Sequence, residues 1–181
     1  MRRGDIEITL KEPIRSKDLD PGFKYEIANT YLGRNIQACF RCGACTGECP
    51  VGILTDIYKP RQIIAEVLLG MRRDVLTGDP LWLCATCYTC DDICAQKVNI
   101  GDVIVAIRNI AFREGYAPKS LVEQAKILLE SGWILKTTAS MDKKREELGL
   151  SRLPKKAVED LQKIAKSTGF DKLIYMKEEE K

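Results

Sequence analysis

The residues through which this chain can do chemistry are its cysteines. All eight lie in two short stretches, "ACFRCGACTGECP" over residues 38–50 and "LCATCYTCDDICA" over 83–95. Cys39, Cys42, Cys45 and Cys49 follow C-x2-C-x2-C-x3-C; Cys84, Cys87, Cys90 and Cys94 repeat it, and no cysteine is left over. Thiols this dense serve as disulfides, zinc ligands, redox nucleophiles or iron–sulfur ligands. Structural zinc usually takes well-separated cysteine pairs, often with histidine, and the chain has no histidine. Disulfides are disfavoured by the tight spacing and by a reducing compartment. A catalytic dithiol needs a thiol not already used as a ligand.

The spacing resembles the run that holds [4Fe-4S] clusters in bacterial ferredoxins. A cubane presents four irons at the corners of a tetrahedron. A chain looping round it offers thiolates from every third residue to three of them and then leaves, so the fourth ligand is more easily supplied from elsewhere. In two-cluster proteins of this kind the last cysteine of each run ligates the other cluster. That rule assigns one cluster to Cys39, Cys42, Cys45 and Cys94, and the second to Cys84, Cys87, Cys90 and Cys49. Pro50 follows the first run as the pattern expects, whereas Ala95 stands in its place after the second. Gly43, Ala44, Thr46 and Gly47 are small enough for amide N–H groups to approach the sulfurs. Arg41 can offset cluster charge or be an ordinary exposed arginine. Tyr88 and Trp82 can shield the second cluster, or serve in plain core or surface roles.

The elements that must position these thiols read as helices. Residues 1–35 form an N-terminal segment with a possible strand, "DIEITL". A helix follows, capped at Asp20, with Pro21 in its first turn, with Phe23, Ile27 and Tyr31 on one face toward the cysteine-rich centre, and stopped by Gly33. Between the runs, "KPRQIIAEVLLGM" sets Ile63, Ile64, Val67 and Leu68 on one face, with Pro60 to start and Gly70 to stop. After the second run, Ile100, Val103, Ile104, Ile107 and Ile110 follow a 3.6-residue period behind Asn99 as N-cap; β-branching argues for a strand, spacing and length for a helix. Three further helical stretches follow Pro118, in "MDKKREELGL" and from Pro154 to Gly169, the last with a stripe of Val158, Leu161, Ile164 and Ala165. "MKEEEK" reads as a solvated terminus. The domain organisation expected is 1–35, a two-cluster domain over 36–117, and a helical extension over 118–181.

Composition narrows the function. With 45% hydrophobic residues the chain can bury a core without disulfides. A net charge of +3 gives no nucleic-acid signal. The N-terminal arginines have no apolar stretch behind them, so neither a secretory signal nor a transit peptide is expected. No apolar run reaches the roughly 18 residues of a membrane span, and a cytoplasmic protein is expected. There is no G-x-G-x-x-G loop, no P-loop, no histidine and no spare thiol. Two clusters without a second site make an electron conduit, with substrate chemistry left to another subunit.

A helical two-cluster domain resembles the C-terminal part of succinate dehydrogenase and fumarate reductase iron–sulfur subunits. More specifically, "NIQACFRCGACTGECPVG", "DPLWLCATCYTCDDICAQKVNIGDVIVAIRNIAFREG" and the helical tail resemble the C subunit of heterodisulfide reductase from methanogenic archaea over nearly the full length. That resemblance implies a mainly α, helical ferredoxin-like fold with two [4Fe-4S] clusters. It implies a cytoplasmic complex in which a flavin-containing iron–sulfur partner, the A subunit, bifurcates electrons. One stream passes through the C subunit to the catalytic B subunit, which reduces the coenzyme M–coenzyme B heterodisulfide. Hydrogenase or formate dehydrogenase would feed the complex. The alternatives are a related heterodisulfide reductase-like or succinate dehydrogenase-type complex, or a free-standing two-cluster ferredoxin. A basic chain with residues 95–181 beyond its last cysteine favours the fixed subunit.

Overall fold

The structure, a computed structural model, describes residues 14–151, 153 and 158–175. The expected "DIEITL" strand, Pro154 and the "MKEEEK" tail lie outside these. Among the described residues the fold is helical, with no strand, so the mainly α expectation holds. Two compact units divide the chain, residues 1–106 and 107–181.

In the first unit, α1 (Phe23–Ala28) buries Phe23 and Ile27 completely. Burial of each side chain contributes about 1.5–3 kcal/mol. The helix packs on α4 (Pro60–Leu69) and on the 3-10 turn Ile36–Ala38 that leads into the first cysteine run. It starts later than Pro21 suggests. The Asp20 N–H donates to the Gly70 carbonyl (2.7 Å), which holds Asp20 outside the helix, and Asp20 Oδ1 accepts the Gly22 N–H (2.8 Å). It also stops well before Gly33, because the Thr30 hydroxyl takes the Ile27 carbonyl (2.7 Å) and Thr30 Oγ1 accepts the Gly33 N–H (2.9 Å). Tyr31 therefore falls beyond the helix and is 81% exposed, with the Arg34 guanidinium 4.2 Å from its ring centre.

The connector helix α4 follows its sequence signals. Pro60 occupies the first turn, Ile63, Ile64 and Val67 are buried, Leu68 is half-buried, and Gly70 ends the helix at φ +82°. A Cβ on Gly70 would run into the Asp20 backbone carbonyl. We therefore expect Gly70→Ala to destabilise the first unit by about 1–3 kcal/mol, from left-handed strain plus loss of the Asp20–Gly70 register. A urea titration followed by circular dichroism checks this. Next, α5 (Arg72–Thr77) buries Val75 and Leu76, and the Arg72 guanidinium reaches Glu26 (3.1 Å) in α1.

In the long helix α7 (Ile100–Arg113), Ile100, Val103, Ile104, Ile107 and Ile110 are all buried. Tertiary burial thus decides the helix against β-branched propensity. Asn99 precedes it with φ +57°, and its carbonyl accepts the Val103 N–H (2.9 Å). A carboxylate from the second cysteine run supplies a side-chain cap, since Asp91 Oδ1 accepts the Gly101 N–H (2.7 Å).

In the second unit α8 (Lys119–Ser131) packs on α10 (Val158–Thr168) and α11 (Phe170–Tyr175). Leu129, Ala165 and Ile174 form its core, flanked by Phe112, Val122, Ala125 and Phe170. Of the expected α10 stripe, Ala165 is buried, Val158 and Leu161 are half-buried, and Ile164 is 58% exposed. Exposed Gln162 nonetheless ties α10 to α8, its Nε2 donating to the Leu129 carbonyl (3.0 Å). Helix α9 (Ala139–Glu147), capped by Thr138, buries no residue.

Candidate iron–sulfur centre

Both cysteine runs adopt the same backbone. In the first, Arg41 (φ +59°) and Gly43 (φ +93°) are left-handed and α2 (Ala44–Gly47) follows. In the second, Thr86 (φ +50°) and Tyr88 (φ +62°) occupy the same offsets and α6 (Thr89–Asp92) follows. Alternating hand in a short loop turns successive N–H groups toward one side, making a concavity suited to anions and iron–sulfur sites. Arg41, Thr86 and Tyr88 adopt this backbone without being glycine, at about 1 kcal/mol or more each. Helices α2 and α6 contact each other, which brings the two loops together.

Exposure follows the same offsets at the first two cysteines of each run. The second cysteine of each run, Cys42 and Cys87, is exposed; Cys45 and Cys49 are buried; Cys39, Cys84, Cys90 and Cys94 are half-buried. Cys39, Cys42, Cys45 and Cys94 line one cavity together, with Arg41 and Arg61 also on its wall and no carboxylate residue among its lining. Cys94 thus shares a cavity wall with the first three cysteines of the other run. Burial pushes the Cys45 thiol up, opposed by a hydrogen bond with Thr46, with Cys39, Cys42 and Cys94 as its charged neighbours. Tyr58 is buried, which pushes its phenol up, with Cys84, Cys49 and Cys90 adding to the rise. The Cys90 thiol is pushed up to about 12, by burial and then by the adjacent Asp91 carboxylate. Cys87 is lowered by its hydrogen bond with Thr89.

The chain's own donors reach the sulfurs. The Thr86 N–H donates to Cys84 Sγ (3.4 Å), the Gly52 N–H to Cys49 Sγ (3.4 Å) and the Val98 N–H to Cys94 Sγ (3.5 Å). Cys49 thereby acts as N-cap of α3 (Pro50–Leu54), in which Pro50 is the first residue. The second run exits instead through a turn with Lys97 (φ +50°) and Asn99 left-handed, and no helix needs a proline at Ala95.

Of the small residues, Gly43 needs its left-handed backbone and lies under Arg61, whereas a Cβ on Gly47 would meet nothing within 4 Å. Thr46 does more than stay small: its Oγ1 accepts the Arg61 N–H (3.0 Å), tying the first loop to α4. The Tyr88 ring, 44% exposed, lies against Gly101 at the start of α7. Trp82 is half-buried. Tyr58 is 2% exposed. Burial, then its hydrogen bond with Cys84, pushes its phenol well up, so it stays protonated and able to donate.

The donor set fits an iron–sulfur cluster. Clustered thiolates select soft metals and iron–sulfur cubes. Tetrahedral zinc at about 2.3 Å from each sulfur draws thiolates to within about 3.8 Å of one another. Among the described residues no three histidine, cysteine or acidic side chains are placed to share a single ion, although four thiols line one cavity.

Residues 34–98 match the family described as a 4Fe-4S dicluster domain. The chain is 35% identical over 174 residues to the iron–sulfur C subunit of the CoB–CoM heterodisulfide reductase of Methanopyrus kandleri, covering 89% of this chain and 90% of that one. The chain belongs to the family of heterodisulfide reductase C subunits. A second member, the C subunit of the H(2):CoB-CoM heterodisulfide,ferredoxin reductase of Methanothermobacter marburgensis, is 35% identical over 167 residues, 89% of each chain. The C subunit of the ferredoxin:CoB-CoM heterodisulfide reductase of Methanosarcina mazei is 36% identical over 147 residues, 78% of this chain and 90% of that one. As a member of this family the chain is an iron–sulfur subunit of an oxidoreductase complex. Among the described residues no helix is long and apolar enough to cross a membrane.

Proposed function

We propose that this chain is the non-catalytic electron relay of a heterodisulfide reductase complex. Cys39, Cys42, Cys45 and Cys94 hold one [4Fe-4S] cluster, and Cys84, Cys87, Cys90 and Cys49 hold the second. When bound, each cluster accepts and releases a single electron. The observation that supports this exchange of last cysteines is the one cavity that Cys94 lines together with Cys39, Cys42 and Cys45. Such an exchange makes neither run sufficient alone and keeps both thiol sets within one unit, close enough for electron tunnelling.

The chain's residues bind and bias the clusters. Arg41 and Arg61 put positive charge on the first cavity wall, favouring the more negative reduced state there, and the amide donors of Thr86, Gly52 and Val98 do the same at their sulfurs. Electrons pass at the exposed edges marked by Cys42 and Cys87. Phe40 (61% exposed), beside Cys39, and Leu83, Tyr88 and Ile93, around the second run, offer apolar surface for docking there. The flavin-bearing A subunit supplies electrons in a bifurcating complex fed by hydrogenase or formate dehydrogenase. The catalytic B subunit receives them and reduces the coenzyme M–coenzyme B heterodisulfide. The complex works in the cytoplasm, where thiols stay reduced.

Size-exclusion chromatography of anaerobic native extract, with the chain followed by antibody, tests the complex-bound reading. Migration with the A and B subunits, well above 20.4 kDa, is expected. Migration near that mass in active extract would instead indicate a free ferredoxin.

A further inference from the structure

We infer that fixed charge sets the two clusters at different potentials, Arg61 and Arg41 holding the first-run cluster up and Asp91 holding the second-run cluster down. This rests on the ligand map proposed above. Under that map the other levers on an iron–sulfur potential, exposure and hydrogen bonding, do not favour the first set. Each set has one exposed thiol (Cys42 or Cys87), one buried thiol (Cys45 or Cys49) and two that are half-buried. The Val98 amide donates to the first set, and the Gly52 and Thr86 amides to the second. Charge is what separates them.

Arg41 and Arg61 stand on the wall of the first-run cavity with its four thiols, and no carboxylate residue does. Glu48, the acid within that run, is off this wall and adjoins Cys49, a thiol of the other set. Arg61 is the second residue of α4, where a cation opposes the helix dipole, and among the described residues no carboxylate pairs with its guanidinium. The helix thus gives no reason for a cation there, whereas an anion in the cavity does. The Arg61 N–H donates to Thr46 Oγ1 (3.0 Å). Its side chain runs over Gly43, with Cδ 3.5 Å and a guanidinium nitrogen 4.0 Å from where a Cβ would stand. A separate element therefore delivers positive charge to the ligand loop.

The second run has no lysine or arginine between Cys84 and Cys94, and it carries Asp91 and Asp92. Asp91 Oδ1 lies 3.5 Å from Cys90 Sγ while accepting the Gly101 N–H (2.7 Å). Capping α7 fixes this carboxylate and offsets part of its charge. With Cys90 a thiolate ligand, the remaining charge repels the sulfur. An added electron is stabilised in the first set and opposed in the second. The amide dipoles act the other way, but their field falls off faster with distance than that of a full charge, so the charges win. An electron handed in at the Cys87 edge then runs downhill to the Cys42 edge, and the return is uphill.

The test is an anaerobic redox titration followed by electron paramagnetic resonance, with iron content, on the reconstituted full chain. Cys42→Ser and Cys87→Ser identify the first-run and second-run waves. In the wild type the first-run cluster should be reduced first, favoured by roughly tenfold or more, which is about 59 mV. Arg61→Gln should make that reduction roughly three- to tenfold less favourable, a shift of about 28–59 mV downward, and Arg61→Lys should restore most of it. Asp91→Asn, whose amide oxygen still accepts the Gly101 N–H, should raise the second-run wave and leave the first in place. Reduction of the second-run cluster first, coincident waves, or either neutral variant leaving its own wave unmoved at full iron overturns the proposal. Where a variant loses iron, the wild-type gap is read at low and at about 1 M salt. Screening of the exposed arginines should narrow the gap, and an unchanged gap overturns the proposal. A wild-type chain that takes up no cubane, or both serine variants acting on one wave, overturns the ligand map itself.

Discussion

Replacing Cys94 with serine is expected to cost the cluster held by the first run, although Cys94 lies 45 positions further along the chain than Cys49, the last cysteine of that run. Cys94 lines the cavity formed by Cys39, Cys42 and Cys45 and is a charged neighbour of Cys45. Its substitution leaves that set with three thiols and removes the acceptor of the Val98 N–H. Iron per chain should fall toward about half, and the low-temperature spectrum of the reduced protein should lose or reshape one component. Cys49→Ser should act on the other component, as the crossed assignment requires, and should additionally weaken α3, whose N-cap it is. If Cys94→Ser disturbs only the cluster of its own run, the crossed assignment is wrong.

The second large effect expected is the loss of order in the first unit when iron is removed. Arg41, Thr86, Tyr88 and Lys97 are left-handed without being glycine, which costs about 1 kcal/mol or more each and persists only where the surroundings impose it. Cys45 and Cys90 lose solvation by burial, and metal ligation replaces their protons. Metal binding is then folding free energy for the loops that carry the thiols. Chelation under argon should lower hydrogen-exchange protection in α2, α3, α6 and the start of α7 by roughly tenfold or more. In the second unit, α8, α10 and α11 pack on Leu129, Ala165 and Ile174, with no cysteine in that core, and should keep their protection. Equal protection with and without iron would show that the loops hold their strained backbone unaided.

Much of this was legible in the sequence because the relevant signals are local. Pro60, Gly70 and the spacing of Ile63, Ile64 and Val67 describe α4 from either end. The five apolar residues from Ile100 to Ile110 describe α7 despite their β-branching. The repeated cysteine spacing carries its shared loop geometry, including left-handed residues two and four positions after the first cysteine of each run. What stayed hidden depends on distant partners. Tyr58 looks like any connector tyrosine, yet the structure leaves it only 2% exposed. Asp91 carries no signal of its cap on α7 at Gly101, and Thr46 reads as merely small, yet it receives the Arg61 N–H. The periodicity of Tyr31 misleads because Thr30 ends α1 early, and that of Ile164 because the buried position of α10 is Ala165 beside it. Helix α11, with Ile174 at its core, is too short for a periodic signal of its own.

The most direct test of the two-cluster relay is the spin count and line shape of the fully reduced, anaerobically purified chain, read with its metal content. About eight iron atoms and eight sulfides per chain and two unpaired spins are expected. Their signals should be broadened by mutual coupling, because exchanged cysteines hold the clusters close together. One isolated spin with about four irons, or zinc in place of iron, would contradict the relay.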